Sequence, residues 1–385
     1  MNAIVIDQAA KKNKIRQRLS ELNAPLIVLL TMIAATGVLA LLSVSEGSWS
    51  PYALTHGLRF SLALLVLIGI GITPLKFWLS VAYPGYVAAL LMLLLVPLVG
   101  EVNMGAKRWI DIGGFQFQPS EVMKIALVLA LARYYHGLEF KQVSSFTGLI
   151  PPLAMIGAPV GLVFLQPDLG TAILLGMSGA VVMLLAGLSW RLVVVGIIGA
   201  VGGAIGGLQS GLIKAYQWER ITAFLNPDAD PLGANYHPNQ SKIAIGSGGT
   251  EGKGYMQGTQ SQLDFLPEMH TDFIFTILGE EFGLYGALVL LGLYLAVFFT
   301  ALQIALSAKS HFGRLLTLGV AATFVSYVLI NTGMVMGLAP VVGVPLPLVS
   351  YGGTVMLSMM AGFGLVMSAW IYRSQDTLRT TGFGG

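Results

Sequence analysis

Four titratable side chains lie close together just before a long apolar stretch: Asp264, Glu268, His270 and Asp272. Partial shielding by lipid-facing walls raises the pKa of a carboxyl group toward the range in which a general base works. Thr271 or Asp272 could instead serve simply as a helix N-cap. The residues alone do not rank Asp272 above Glu268 or Asp264 as a candidate base.

Charged residues also lie inside or beside other apolar stretches. Glu121 and Lys124 are three residues apart, so on a helix they share one face and can form a structural ion pair. With Lys107 and Arg108 just upstream, Lys124 could instead line a cavity that binds an anion such as a pyrophosphate. Asp168 precedes a further apolar stretch and could simply cap it. For each of these residues, the structural and the functional interpretation both remain open.

The elements that must position these side chains are apolar helices. Only 10% of the 385 residues are charged and 55% are hydrophobic, which is typical of a polytopic membrane protein. A spanning helix needs about 20 mostly apolar residues. The candidate spans are 24–44, 53–73, 76–99, 119–135, 146–166, 169–188, 191–210, 272–305, 313–337 and 350–371. The predicted fold is therefore all-α, with about ten transmembrane helices.

The basic residues predict the orientation of the chain. With ten spans and a cytoplasmic N-terminus, 13 of the 21 Lys and Arg residues fall on the cytoplasmic side. We therefore expect both termini inside and the candidate acids outside. The predicted organisation is a cytoplasmic segment (1–23), one membrane domain (24–372) and a cytoplasmic tail (373–385).

One large outer loop, residues 211–271, dominates this organisation. Its apolar positions predict an amphipathic interfacial helix that ends at Asn226, followed by a second short helix over 239–245. A loop this long between two spans is more often functional than idle. Pro345 and Pro347 predict an extended path for the outer segment 338–350.

Several classes of function are excluded or disfavoured. The chain contains no cysteine, so disulfides and thiolate chemistry are impossible. Its five histidines show no metal-ligand spacing; we therefore predict no metal site, although a divalent cation could still assist. The net charge of +3, spread over two faces, does not indicate nucleic-acid binding. The glycine-rich run 246–254 fails the phosphate-loop pattern.

Specific motifs follow one another along almost the whole chain, from about residue 20 to 373. They are Gly105-Ala106-Lys107-Arg108-Trp109-Ile110, Gln118-Pro119-Ser120-Glu121, Gln166-Pro167-Asp168-Leu169-Gly170, Gln240-Ser241-Lys242-Ile243-Ala244, His270-Thr271-Asp272-Phe273 and Pro345-Leu346-Pro347-Leu348-Val349-Ser350-Tyr351. In this order they resemble the SEDS family (shape, elongation, division and sporulation). Residues 262–268 and 331–337 look more like its elongation members than its division members.

The resemblance implies a ten-helix peptidoglycan glycosyltransferase that polymerises lipid II into β-1,4 glycan strands and releases undecaprenyl pyrophosphate. Asp272 would be the essential acid and general base. The residues expected in or near the substrate cavity are Arg108, Trp109, Glu121, Lys124, Asp168 and Lys242. No nucleotide would be needed, because the pyrophosphate leaving group supplies the driving force.

A lipid II flippase is the alternative, since it would use the same cavity and cations but no base. The resemblance also implies a bacterial inner-membrane protein whose active site faces outward. Its expected partner is a class B penicillin-binding protein with a single transmembrane span. We expect that span to dock on helices within 313–371, where small residues permit close approach, and its stalk to touch the segment 338–350.

Overall fold

The computed structural model describes residues 14–103, 106–113, 115–209, 215–226, 233, 235–259 and 269–375. Helices account for most of these residues. They are α1 (Ala24–Val44), α2 (Tyr52–Gly71), α3 (Leu75–Val99), α4 (Pro119–His136), α5 (Phe140–Val143), α6 (Phe146–Leu165), α7 (Leu169–Leu185), α8 (Trp190–Gln209), α9 (Ala215–Leu225), α10 (Tyr236–Gly248), α11 (Ile274–Ser307), α12 (His311–Val335) and α13 (Gly353–Ile371). The long helices coincide with the apolar stretches of the sequence.

The polytopic helical class is confirmed. By length and composition, seven helices among the described residues could cross a membrane: α1, α2, α3, α6, α11, α12 and α13. The helix α7 is shorter, with 17 residues, and α4 carries Glu121, Lys124 and Arg133. The total of ten spans therefore stays a prediction.

A small antiparallel sheet between α3 and α4 departs from the all-α expectation. Its strands are β1 (Glu101–Asn103), β2 (Ala106–Ile112) and β3 (Phe115–Phe117), with β2 in the middle. Ile112 pairs with Phe115, and Gly113 adopts φ 64° in the two-residue turn between them. Tight hairpin turns need such positive φ values, which glycine adopts without strain. The Gly-Gly pair in the sequence was the signal for this hairpin.

The centre of the bundle is formed by α4, α12 and α13. Residues 123–132 of α4 are all buried. Glycines allow the three helices to approach closely. A Cβ on Gly319 would lie 2.5 Å from the Val128 side chain, and one on Gly362 would lie 3.0 Å from that of Ile125. Close backbone approach of this kind is the usual basis of helix packing in membranes.

This packing bears on the prediction that small residues on α12 and α13 dock a partner span. The residues at these positions that are buried within the chain are Gly319, Ala321, Ser326, Gly362, Gly364 and Ser368. These six face neighbouring helices of the same bundle, so they do not form a lipid-facing surface. Ala322, Gly333 and Gly337 are only partly buried, and docking of a partner on this helix pair stays a prediction.

The long helix α11 is broken at Gly283, whose φ of 61° and ψ of −158° are not helical. The part beyond the break, residues 284–307, is about 36 Å long and is sufficient to cross a bilayer by itself. The part before the break, residues 274–282, is named the α11 stub. Its residues 274–281 are all buried in protein.

The position of the stub follows from contacts at its two ends. Glu281 accepts a hydrogen bond from Ser43, in the last turn of α1. The ring of His270, just before the stub, stacks on Tyr52, the first residue of α2, with ring centroids 4.6 Å apart. Since α1 ends and α2 begins at the same end of the bundle, the stub lies across that end.

The loop 249–254 supplies hydrogen bonds that the broken helix lacks. The amides of Lys253 and Gly254 donate to the carbonyls of Glu280 and Glu281, at 3.0 Å each, and the Leu284 amide donates to the Gly249 carbonyl at 3.0 Å. The Lys253 ammonium also lies 2.7 Å from the Glu280 carboxylate. Loop and break are therefore held together by backbone pairing and an ion pair.

Two helices lie within residues 211–271, as predicted. The amphipathic helix α9 ends at Leu225, next to Asn226 as expected. The second helix, α10, is longer than predicted and covers Tyr236–Gly248. It packs along the stub, where the Ser241 hydroxyl lies 2.8 Å from the Thr276 hydroxyl and donates to the Val335 carbonyl at 2.9 Å.

We expect Gly283→Ala to lower thermal stability. The backbone conformation at this position alone would cost about 1–3 kcal/mol with a side chain present. The new Cβ would also lie 2.7 Å from the Thr250 carbonyl oxygen. Melting of the purified protein in detergent measures the effect. Gly292→Ala is the matched control, because a Cβ there meets open space on the same helix. Equal melting temperatures for the two variants would contradict this account of the break.

Candidate functional site

Asp272 lies directly before α11 on a segment whose backbone is firmly held. The helix begins at Ile274 with Phe273 as its N-cap residue, so neither Thr271 nor Asp272 occupies the capping position. Asp272 is half-buried. Since Asp272 lies outside the capping position, its carboxylate stays a candidate general base.

Three consecutive carbonyls of this segment accept hydrogen bonds. The carbonyl of His270 accepts from the Tyr351 amide at 2.8 Å, and that of Thr271 accepts from the Ser350 hydroxyl at 2.5 Å. The carbonyl of Asp272 accepts from the Asn331 amide at 2.8 Å. The backbone that carries the candidate base is therefore fixed residue by residue.

The loop 338–352 contacts both Asp272 and the start of α7. Gly343 has φ +70°, and a Cβ there would lie 3.4 Å from Asp272 Oδ2. The neighbouring Val342 packs on Gly170, whose Cβ, if present, would lie 3.2 Å from the Val342 Cβ. The same short stretch of backbone thus contacts both the candidate base and the helix that Asp168 begins.

Asp168 caps α7, which is the structural alternative, and its functional role stays a prediction. One carboxylate oxygen caps α7 by accepting from the Thr171 amide at 3.1 Å. The other accepts from the Gln118 side-chain amide at 3.3 Å and lies 3.9 Å from Arg108 Nε. Arg108 also donates to the Pro167 carbonyl. Its side chain as a whole is 30% exposed.

Glu121 and Lys124 form a closed network in the middle of the bundle. The Lys124 ammonium lies 2.5 Å from one Glu121 oxygen and bonds the Tyr327 hydroxyl. The second Glu121 oxygen accepts from Tyr327 at 2.8 Å and from Ser358 at 3.3 Å. The Lys124 side chain is completely buried. This geometry favours the structural interpretation of the pair, and a contact between Lys124 and substrate stays a prediction.

Lys242 lies in a separate surface pocket. The pocket is lined by Arg220, Ala223, Phe224, Asn235, Pro238, Lys242, Gly337, Ala339, Pro340 and Val341. A Cβ on Gly337 would lie 2.6 Å from Lys242 Nζ, so this glycine makes room for the lysine. Two cations set among apolar walls suit an anion carried on an apolar body. Arg220 was not singled out from the sequence, where it was one of several basic residues in the outer loop.

A polar face of α2 was also missed. Tyr52, His56 and Arg59 have the i, i+4, i+7 spacing of one helix face. His56 Nε2 lies 3.0 Å from the Leu348 carbonyl oxygen, and the Arg59 guanidinium lies 4.6 Å above the Tyr351 ring. This face of α2 therefore packs against the loop 338–352. The regular spacing of its polar residues is the signal by which the sequence could have revealed it.

The structure thus groups the predicted residues into distinct clusters. Arg108 and Asp168 lie together, and Trp109, the next residue of strand β2, is half-buried. Asp272 lies on the other side of the loop 338–352. Asp264 and Glu268 fall outside the described residues. Within the described part of the chain, no three acidic or histidine side chains come together as a metal site. Burial lowers the pKa of His237, whose ring centroid lies 6.5 Å from that of Phe273.

Comparison with known proteins agrees with these features. A 46% identity over 315 residues relates the chain to the peptidoglycan glycosyltransferase MrdB of Escherichia coli K12, covering 82% of this chain and 84% of MrdB. Stage V sporulation protein E of Bacillus subtilis is 34% identical over 359 residues, covering 90% and 96%. The FtsW of Trichlorobacter lovleyi is also 34% identical, over 373 residues, which covers 91% of this chain and 93% of that protein. The stronger resemblance to an elongation member is therefore confirmed.

Solved structures show the same fold. A chain from a peptidoglycan synthase complex that coordinates polymerization and crosslinking superposes with a TM-score of 0.79 and 31% identity, covering 92% of this chain and 99% of that one. The rod shape determining protein RodA of Thermus thermophilus gives 0.69 and 29%, covering 92% and 98%. The profile of the cell cycle protein family that groups FtsW, RodA and SpoVE matches residues 18–375. The chain therefore belongs to this family, as its motifs had indicated.

Proposed function

We propose that this chain is a peptidoglycan glycosyltransferase that polymerises lipid II during cell-wall elongation. The names of its relatives support the activity, and the higher identity to MrdB than to FtsW supports the elongation role. The placement of Asp272 supports the chemistry: a half-buried carboxylate lies on a rigid backbone beside the bare Gly343. A flippase would have no use for such a base.

In the proposed reaction, Asp272 removes the proton from the 4-hydroxyl of the acceptor GlcNAc as that oxygen attacks the anomeric carbon of the donor MurNAc. The bond to undecaprenyl pyrophosphate breaks, and the leaving group takes the electron pair. Attack from the side opposite the leaving group inverts the anomeric centre and gives the β-1,4 linkage. The fixed carbonyls of residues 270–272 hold the base in place, which lowers the entropic part of the barrier.

Cations offset the charge that develops on the pyrophosphate, which is the electrostatic part of catalysis. Arg108 is suited to this role because its cationic side chain is partly exposed beside Asp168. Lys242 is suited because it shares an open pocket with Arg220. Trp109 would border the substrate next to Arg108. Glu121 and Lys124 would shape the floor of the cavity, and Lys124 would meet the substrate only by leaving Tyr327.

The location of the protein in the cell is inferred from its apolar helices and its relatives. It is a multi-pass membrane protein of the inner-membrane type. We place both termini in the cytoplasm and the Asp272 end of the bundle outside, as the basic residues predict. A class B penicillin-binding protein is the proposed partner, because one structural neighbour was solved in a peptidoglycan synthase complex.

We expect Asp272→Ala and the isosteric Asp272→Asn to abolish polymerisation while the protein stays folded. Because Asp272 does not occupy the capping position, its loss should cost less than the roughly 1 kcal/mol of an N-cap. Purified protein, with the partner present, is given lipid II, and glycan length is measured on a gel.

The matched controls are Glu268→Ala and Asp264→Ala, which remove nearby acids and should reduce synthesis less. Strands of normal length and rate from the Asp272 variants would rule out the proposed mechanism. If the wild-type protein instead moves lipid II across vesicle membranes without consuming it, that result would support a flippase.

We expect Lys124→Met to destabilise the protein by about 3–5 kcal/mol, because Glu121 would then be a buried charge without its counterion. The double variant Glu121→Gln/Lys124→Met removes both charges and should recover most of the stability. Thermal melting in detergent measures both effects. If the double variant melts no higher than Lys124→Met, the two side chains are not coupled as described.

The same double variant distinguishes the two roles of Lys124. Normal stability without polymerisation would support a contact between Lys124 and substrate. Normal stability with full polymerisation would show that the ion pair is structural only.

A further inference from the structure

Asn331 is a buried side chain that joins the two parts of the candidate site. It lies on α12 and is completely buried. Its amide nitrogen donates to the Asp272 carbonyl at 2.8 Å and to the Val344 carbonyl at 2.7 Å. One side-chain group therefore holds the segment that carries the candidate base and the loop that faces it.

The orientation of this amide is fixed by its surroundings. Both bonds run to carbonyl oxygens, which only accept, so the nitrogen and not the oxygen must face them. Asn331 Oδ1 is left without a hydrogen-bond partner among the described residues. A buried acceptor without a partner costs about 1–3 kcal/mol. The amide nitrogen thus makes its two bonds while the oxygen of the same side chain stays without one.

The other two bonds to the segment lie farther from the carboxylate. Ser350 and Tyr351 hold the carbonyls of Thr271 and His270, whereas the bond from Asn331 is the one seen at the Asp272 peptide itself. Its second bond, to Val344, is made one residue from Gly343, which faces the Asp272 carboxylate. Ser350 and Tyr351 therefore join the loop 338–352 to residues 271 and 270, whereas the length of the Asn331 side chain sets the separation between the Asp272 peptide and the part of the loop next to Gly343.

We propose that Asn331 is a positioning residue for the glycosyl transfer, acting through Asp272 and not on the substrate. The inference rests on the proposed function, since it assumes that Asp272 is the base. The loop 338–352 also packs on Gly170, so the separation that Asn331 sets also relates Asp272 to the cluster of Asp168 and Arg108. Misplacing a catalytic group by about 1 Å costs on the order of 100-fold in rate.

Two substitutions separate positioning from simple hydrogen-bond satisfaction. Asn331→Leu removes both donors while keeping the number and the branching of the side-chain heavy atoms. Asn331→Gln keeps both donors but lengthens the side chain by one methylene, so it alters the separation. Thr332→Val is the matched control: it is the adjacent buried residue, it is nearly isosteric, and its hydroxyl bonds the Val328 carbonyl of the same helix.

Initial rates of lipid II polymerisation are measured for the folded, monodisperse protein with its partner, over a range of lipid II concentrations. We expect kcat to fall on the order of 10- to 100-fold for Asn331→Leu and Asn331→Gln, with KM little changed, while Thr332→Val behaves as wild type. Melting temperatures are recorded for all three variants.

Several outcomes would overturn the proposal. A wild-type kcat for Asn331→Gln would show that only hydrogen-bond satisfaction matters. A rise in KM as large as the fall in kcat would indicate a general loss of the site, and failure of both Asn331 variants to fold would indicate a folding role. Asp272→Ala, measured in parallel, keeps the two proposals apart. Activity in that variant overturns the assigned base, whereas an inactive Asp272→Ala beside fully active Asn331 variants overturns only the positioning role.

Discussion

Backbone that leaves the helical path beside a bilayer must find its hydrogen-bond partners inside the protein, because lipid offers none. The non-helical parts of this chain meet that constraint by pairing with one another. The loop 249–254 bonds the break in α11, and the loop 338–352 bonds the carbonyls of residues 270 and 271. The candidate site lies where the second of these pairings occurs, between the loop 338–352 and residues 270–272. Its rigidity follows from the need to leave no peptide group unpaired.

The same constraint acts on the charges. Lys124 is completely buried, yet it is surrounded by Glu121 and Tyr327, and Glu121 is in turn bonded by Ser358. Glu280 is paired with Lys253 in the same way. Buried ions are tolerated when they are paired and hydrogen-bonded. Of the cations proposed to meet the substrate, Lys242 is exposed and Arg108 is partly exposed, so both lie where an anionic substrate could reach them.

Sequence reasoning could predict those parts of the molecule that are governed by local composition. Apolar runs of sufficient length predicted the long helices, and the amphipathic pattern before Asn226 predicted α9. The break at Gly283 was not predicted, because one glycine among 48 carries no signal until its partner loop is known. The enclosure of Lys124 depends on Tyr327, which is 203 residues away along the chain. Asn331 was missed for the same reason, since it contacts Asp272 across 59 residues.

The break divides α11 into a membrane-spanning part and the buried stub, and the two parts differ in how well they tolerate a change in length. A change in length near the far end of residues 284–307, to suit a bilayer of another thickness, need not move Asp272, because the loop 249–254 holds the break at Gly283 in place. The stub has no such tolerance. One residue inserted there would turn everything before it by about 100° around the helix axis and shift it by about 1.5 Å. The chain can thus adapt to its lipid in the part after Gly283, whereas the part before Gly283 must keep its length.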